Sequence, residues 1–183
     1  MLYIMRHGRT DWNDLEKLQG RTDIPLNEEG RRMARQAREA CRDVHLDICY
    51  SSPLLRARET AEILLSGRNV PIITDERLKE MSFGEYEGMT HYFSDPHFPL
   101  AALFRRPEEY TASVGGAETF AGLFERTGSF LREVIDPLMQ SGRDVLIVGH
   151  GAMNQSIICQ LKHLPIKDFW AGDFSNCRLI RLI

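Results

Sequence analysis

Cysteine is scarce in this chain, and where it occurs it is solitary. Cys41, Cys49, Cys159 and Cys177 each stand in an apolar stretch, with no C-x-x-C spacing and none of the density of a secreted disulfide scaffold. They are expected to be buried thiols in a reducing compartment. No apolar run approaches the ~20 residues that a membrane-spanning helix requires, and no basic leader precedes an apolar core at the N-terminus. The expectation is a soluble, cytoplasmic protein. Excess charge of one sign is also missing: a formal net charge of -3 gives no reason to expect a nucleic-acid or membrane partner, although a locally basic pocket fits inside that total. Repeats, low-complexity tracts and linkers are absent too. At 183 residues, 43% of them hydrophobic, the chain is expected to form one domain over residues 1–183, and its oligomeric state is left open.

Short apolar runs are what the chain does have. "LYIM" (2–5), "LDICY" (46–50), "PIIT" (71–74) and "DVLIVG" (144–149) show little alternation, as strands covered on both faces do. Helical patterns separate them. Asn27 is a plausible cap before a face made by Met33, Ala34, Ala37, Ala40 and Cys41. "SSPLLRARETAEILLSG" reads as a helix capped by Ser52, with Pro53 in its first turn and Gly67 at its end. The longest stripe runs from Phe120 to Leu138, another helix follows from about Ala152 to Lys162, and "CRLIRLI" reads as an edge strand. Alternating strands and helices predict an α/β fold, a three-layer α/β/α sandwich with a mostly parallel sheet and at least one antiparallel edge strand. The pattern fails at about 89–118, which is expected to be a lid or insertion within the domain.

Open α/β sheets collect ligands at the carboxyl ends of their strands. Arg6, His7 and Gly8 follow the first strand, Ser51, Ser52 and Arg56 follow the second, and His150 and Gly151 follow "DVLIVG". Each residue alone has an ordinary structural explanation. Together, two arginines and two histidines at one edge call for an anion, and phosphate suits them because a guanidinium can grip two of its oxygens at once. A neutral imidazole beside them can attack phosphorus. Protonation of the leaving oxygen needs an acid; "ERLKEMSFGEYEGM" offers Glu76, Glu80, Glu85 and Glu87, and spacing does not choose among them. His91 and His97 lie near Asp95 but match no helical metal-ligand pair, so they are read as part of a polar segment. The aromatics Tyr92, Phe93, Phe98, Phe104 and Tyr110 are expected to cover the sheet edge or line a specificity pocket.

Five ordered segments, "RHGRTDWN", "LQGRTDIPLNEEGRRMARQA", "SSPLLRARETAEILL", "LKEMSFGEYEG" and "VLIVGHGAMNQSI", resemble the histidine phosphatase superfamily, the phosphoglycerate mutase-like group. The resemblance implies that His7 is the nucleophile, that Arg6, Arg56 and His150 clamp the phosphoryl oxygens, and that Glu80 is the general acid. It also assigns phosphate or substrate contacts to Asn13, Gln19, Gly20 and Gly151. The implied activity is hydrolysis of a small phosphorylated metabolite through a phosphohistidine, without metal or other cofactor, with α-ribazole 5'-phosphate one candidate. A mutase is the first alternative; it is disfavoured because mutase relatives generally carry a larger insertion and a closing tail. A non-catalytic phospho-ligand binding module is the second, disfavoured because a pure binder has no use for the acid. Arg9 and Tyr86 depart from residues common in the family. Arg9, Arg21, Arg105 and Arg106 could widen the positive field, but as surface arginines they need no such role, and whether they contact substrate is left open.

Overall fold

The computed structural model describes residues 1–183. Its strands divide their side chains between two faces. In β1 (Leu2–Arg6), Leu2 and Ile4 join a buried cluster with Phe130, Ile135 and Ile157, whereas Met5 joins another with Ala37, Ala61 and Leu64. β4 (Val145–Gly149) splits the same way, Val145 and Ile147 to the first cluster and Leu146 and Val148 to the second. Successive strand residues point to opposite faces, so an unbroken apolar run can be buried only if both faces are covered. Helices α2 (Glu28–Ala40) and α3 (Leu55–Leu65) cover one face, and α5 (Phe120–Phe130) with α7 (Gly151–Lys162) cover the other. The result is the expected α/β/α sandwich.

With β2 (Ile48–Ser51), β3 (Ile72–Thr74) and β5 (Leu179–Arg181), the sheet order is β3-β2-β4-β1-β5. Every pairing is parallel except that of β5 with β1. The Asn27 side chain caps α2 as expected, accepting from the Gly30 N–H at 2.9 Å. The start of α3 differs from the expected one. Its first residue is Leu55, so Pro53 lies outside the helix, and Ser52 Oγ accepts from the Leu54 N–H at 3.3 Å without capping it. Asp23 reaches in from a separate loop to accept from the Leu55 N–H at 2.8 Å, satisfying an orphan donor that local sequence could not reveal.

The long stripe after Thr119 is not one regular helix. α5 runs into a π-turn at Leu131–Ile135 and then into α6 (Asp136–Gln140). Pro137 has no N–H for the carbonyl four residues earlier and its ring crowds that carbonyl; the wider turn just upstream relieves the clash. A four-residue helix, α1 (Asp11–Asp14), follows β1, with a capping box between Thr10 and Asn13. Residues 89–118 contain the short helix α4 (Ala101–Arg105), and Phe98, Leu100, Leu103, Phe104 and Tyr110 are buried in a third cluster with Phe120, Leu123 and Phe169. These irregularly spaced side chains are thus part of the core.

The loop after β1 lies against the start of α2 so tightly that both partners are glycine. A Cβ on Gly8 would stand 2.6 Å from the Gly30 carbonyl oxygen, and one on Gly30 would stand 2.1 Å from that of Arg9. Gly30→Ala should therefore force backbone apart and lower the unfolding free energy by roughly 2 kcal/mol. A urea melt with an unchanged midpoint would show that this contact does not constrain the loop.

Candidate active site

Three neighbouring parallel strands end at one edge. Arg6 pairs in register with Gly149, the His7 N–H donates to the Gly149 carbonyl at 3.0 Å, and the Ser52 N–H donates to the Val148 carbonyl at 3.0 Å. That register sets Arg6 and His7 beside His150, with Arg56 entering from the second turn-forming segment on α3. His7, Arg56 and His150 are buried, and the two imidazole centroids lie 5.2 Å apart, edge to face.

Each cation is held from behind. Arg56 donates from one terminal nitrogen to the Gly20 carbonyl at 2.6 Å and from the other to the Thr22 carbonyl at 2.9 Å. Glu87 fixes that loop: its carboxylate accepts from the N–H groups of Arg21 and Thr22 and from the Thr22 hydroxyl. Arg6 donates to the Phe174 carbonyl at 2.5 Å, and the Asn176 amide donates to the His7 carbonyl at 2.6 Å. The arginine Nε atoms of both residues and both ring nitrogens of His150 are nonetheless buried without a partner. Buried polar atoms in native proteins are seldom left so, and a bound anion would accept from the two Nε–H groups and from whichever His150 nitrogen carries the hydrogen.

His7 Nδ1 lies 2.6 Å from the Gly8 carbonyl oxygen. A carbonyl only accepts, so Nδ1 carries the hydrogen, and in the neutral ring Nε2 keeps its lone pair. The ring is held neutral: burial, and then the charges of Arg56 and Arg6, keep its pKa well below the usual imidazole range. Burial and the same guanidiniums, with His7, act likewise on His150. Burial also lowers Arg56 to about 10, opposed by the attraction of Glu80.

The cradle opens into a cavity of about 300 Å³. Arg6, His7, Arg56 and Glu80 line it, as do Asn13, Gln19, Gly20 and Gly151, so eight of the nine residues singled out in the sequence share one space. His150 lies beside His7 and lines a smaller adjoining cavity, which shares Arg6, Gly151 and Phe174 with the first. Asn13 and Gln19 each have the carboxamide oxygen engaged by Thr10, which leaves their amino groups for a ligand. The four acids separate clearly. Glu80 alone lines the cavity, with its carboxylate at the N-terminus of α7, accepting from the N–H groups of Met153 at 2.9 Å and Ala152 at 3.2 Å. Glu87 is occupied by the loop that carries Gly20, Glu76 pairs with Lys79, and Glu85 is exposed.

Tyr92, Phe93 and Phe104 line the cavity, whereas Phe98 and Tyr110 belong to the core. Lys17, Phe83, Trp170 and Phe174 also line it and were not singled out, although the density of aromatics in "DFWAGDF" was a visible signal. Arg9 pairs with Asp14, Arg21 with Glu118 and Arg106 with Glu109, while Arg105 donates to the carbonyls of Phe93 and Ser94; none of the four lines the cavity. His91 and His97 are exposed. His45, Asp47 and Asp144 lie close enough together to share a cation, but they sit at the opposite end of the strands, where Arg143 and the terminal ammonium already contact the carboxylates.

A neutral imidazole with a free Nε2, guanidiniums around it and a carboxyl across the cavity are the equipment of phosphoryl transfer by way of a histidine. The chain belongs to the histidine phosphatase superfamily (branch 1), whose family model matches residues 2–183. It is 31% identical to a 2,3-bisphosphoglycerate-dependent phosphoglycerate mutase of Cytophaga hutchinsonii, over 96% of this chain and 84% of that one. Among solved structures, a mycobacterial glucosyl-3-phosphoglycerate phosphatase in complex with VO3 is 30% identical with a TM-score of 0.84, over 97% of this chain and 90% of that one. The α-ribazole phosphatase of Shigella flexneri is 25% identical with a TM-score of 0.80, over 97% and 87%. The fold is therefore phosphoglycerate mutase-like, and no helix is long and apolar enough to cross a membrane.

Burial of neutral histidines makes stability depend on pH. An unfolded imidazole binds its proton near pH 6.5, while the folded His7 and His150 do so only at lower pH. Below about 6.5 the unfolded state thus holds more protons, and stability falls as pH falls until the folded rings titrate, by at most about 1.4 kcal/mol per pH unit for each histidine. Denaturation series between pH 7 and 5 in phosphate-free buffer should show a shallower loss for His150→Gln than for the wild type. Equal slopes would mean that His150 is charged in the fold.

Proposed function

We propose that this phosphoric monoester hydrolase is metal-independent and acts on a small phosphorylated metabolite through a phosphohistidine on His7. The observation that carries the reading is the set of unpartnered buried donors, Arg6 Nε, Arg56 Nε and the one N–H of the His150 ring, near a neutral His7 whose Nε2 is free. In the first step His7 Nε2 attacks phosphorus, the N–P bond forms as the P–O ester bond breaks, and Glu80 gives its proton to the departing oxygen. In the second, Glu80 takes a proton from water as the water oxygen attacks phosphorus. The N–P bond then breaks, phosphate leaves, and both residues are restored. Arg6, Arg56 and His150 hold the equatorial oxygens, with the amino groups of Asn13 and Gln19 and the Gly20 and Gly151 backbone as further contacts. The guanidiniums occupy the role that a metal ion fills in other phosphoryl-transfer sites.

The phosphatase relatives favour hydrolysis, and α-ribazole 5'-phosphate stands among the candidate substrates because a phosphatase of that ester shares the fold. The mutase of Cytophaga hutchinsonii keeps phosphotransfer as the second reading. We also assign residues 89–118 to the substrate wall, since Tyr92, Phe93 and Phe104 line the cavity.

His7→Ala should abolish phosphate release from p-nitrophenyl phosphate, and wild-type activity should survive chelator; full activity in the variant would remove His7 from the role of nucleophile. Glu80→Gln should slow transfer of the phosphoryl group from an alkyl phosphate to His7 by roughly 10²–10⁴-fold and from p-nitrophenyl phosphate much less, because nitrophenolate leaves without a proton; nitrophenol should then appear in a burst ahead of slow phosphate release. With 3-phosphoglycerate, conversion to the 2-isomer without phosphate release would establish the mutase reading instead.

A further inference from the structure

Five of the side chains that line the cavity are aromatic rings in one connected arc. Phe93 and Tyr92 are 4.8 Å apart between centroids, Phe93 and Phe104 5.0 Å, Phe104 and Trp170 5.3 Å, and Trp170 and Phe174 5.7 Å. One end of this arc is at the phosphate cradle, where the Phe174 carbonyl holds Arg6. The other end is at the rim, where Phe93 is 56% exposed. Glu80 is the single carboxylate in the lining, and Asn13 and Gln19 supply its carboxamides. Along the arc the faces on offer are ring faces, on which an aromatic ring of the leaving group would stack.

Beyond Tyr92 and Phe93 the cavity continues into an outer groove of about 260 Å³, and Asn13, Lys17, Tyr92 and Phe93 line both spaces. Lys17 stands at that junction, its ammonium 5.6 Å from the centre of the Trp12 ring. It makes no salt bridge, unlike Lys79, which pairs with Glu76. Glu16 also lines the groove, so an anion is favoured only where it stands nearer to the lysine than to that carboxylate.

We propose that the leaving-group subsite takes a monoester whose alcohol carries an aromatic ring stacked on the arc of Tyr92, Phe93, Phe104, Trp170 and Phe174, and beyond the ring a carboxylate paired with Lys17. The proposal rests on the phosphomonoesterase reading, and it makes Lys17 and Phe93 specificity determinants. The test compares kcat/KM for n-propyl, benzyl and 4-carboxybenzyl phosphate, whose alcohols have similar acidity, so that differences report the subsite and not the leaving ability. The wild type should prefer benzyl over propyl phosphate by about tenfold. It should prefer 4-carboxybenzyl over benzyl phosphate by a further factor of about three.

Phe93→Ala should reduce the first ratio and Lys17→Gln should bring the second to one or below. Equal rates for propyl and benzyl phosphate, or a carboxylate preference that survives Lys17→Gln, would overturn the subsite. Calorimetric binding of the matching phosphonates, which cannot be hydrolysed, separates the two claims. Preferential binding of 4-carboxybenzylphosphonate without turnover of any ester would sustain the subsite and sink the hydrolase. Turnover with indiscriminate binding would do the reverse.

Discussion

Positive charge without enough negative charge beside it is the constraint on which this molecule is built. Arg6 and Arg56 sit next to two buried imidazoles, with Glu80 the carboxylate that faces them. Taking an ion out of water costs several kcal/mol unless other groups take over its hydration. The carbonyls of Gly20, Thr22 and Phe174 do part of that, which explains why two otherwise irregular loops are drawn tightly to the sheet edge. Each carbonyl supplies a dipole and no charge, so the cradle stays electropositive. The imidazoles respond by remaining neutral, and neutrality is what leaves His7 a lone pair.

The sheet order makes that concentration possible. β4 lies between β2 and β1, so the three segments that bear the cations leave the sheet side by side and in the same direction. Glycines at positions 8 and 30 let the first of them pass close under α2. Glu87 then links the segment after β3 to the loop that cups Arg56, and the Glu118–Arg126 pair braces the neighbouring stretch, with Arg126 donating to the Glu80 carbonyl at 3.2 Å. Glu80 and Arg56 are thus positioned through a shared set of carboxylate-anchored turns.

The strands and their termini were legible in the sequence because fully covered strands leave an unbroken apolar signature, and the residues after them gather at one edge. Arg6, His7, Arg56 and His150 could be grouped on that ground alone. Choosing Glu80 over Glu87 needed either a family likeness or coordinates, since the two differ in what their oxygens touch and not in any local pattern. The start of α3 was misplaced because its orphan donor is met by Asp23, 32 residues away. Residues 89–118 showed no period because Phe98, Leu100 and Phe104 pack into a shared cluster from turns and a five-residue helix, where no fixed spacing applies. Trp170 and Phe174 follow no period either, since they sit on a 3-10 turn and the loop after it, and only the aromatic density of "DFWAGDF" marks them.

His7 lies near the beginning of the chain, yet the groups that fix its surroundings come from far along it. Asn176 is 169 positions from His7, and the Phe174 carbonyl is 168 from Arg6. During synthesis the imidazole leaves the ribosome long before β4 or the 174–176 turn exists. Contacts of such sequence separation form late and slowly. A nascent chain therefore carries this ring in an open, hydrated and ordinarily basic state, and the ring is desolvated only when vectorial folding ends.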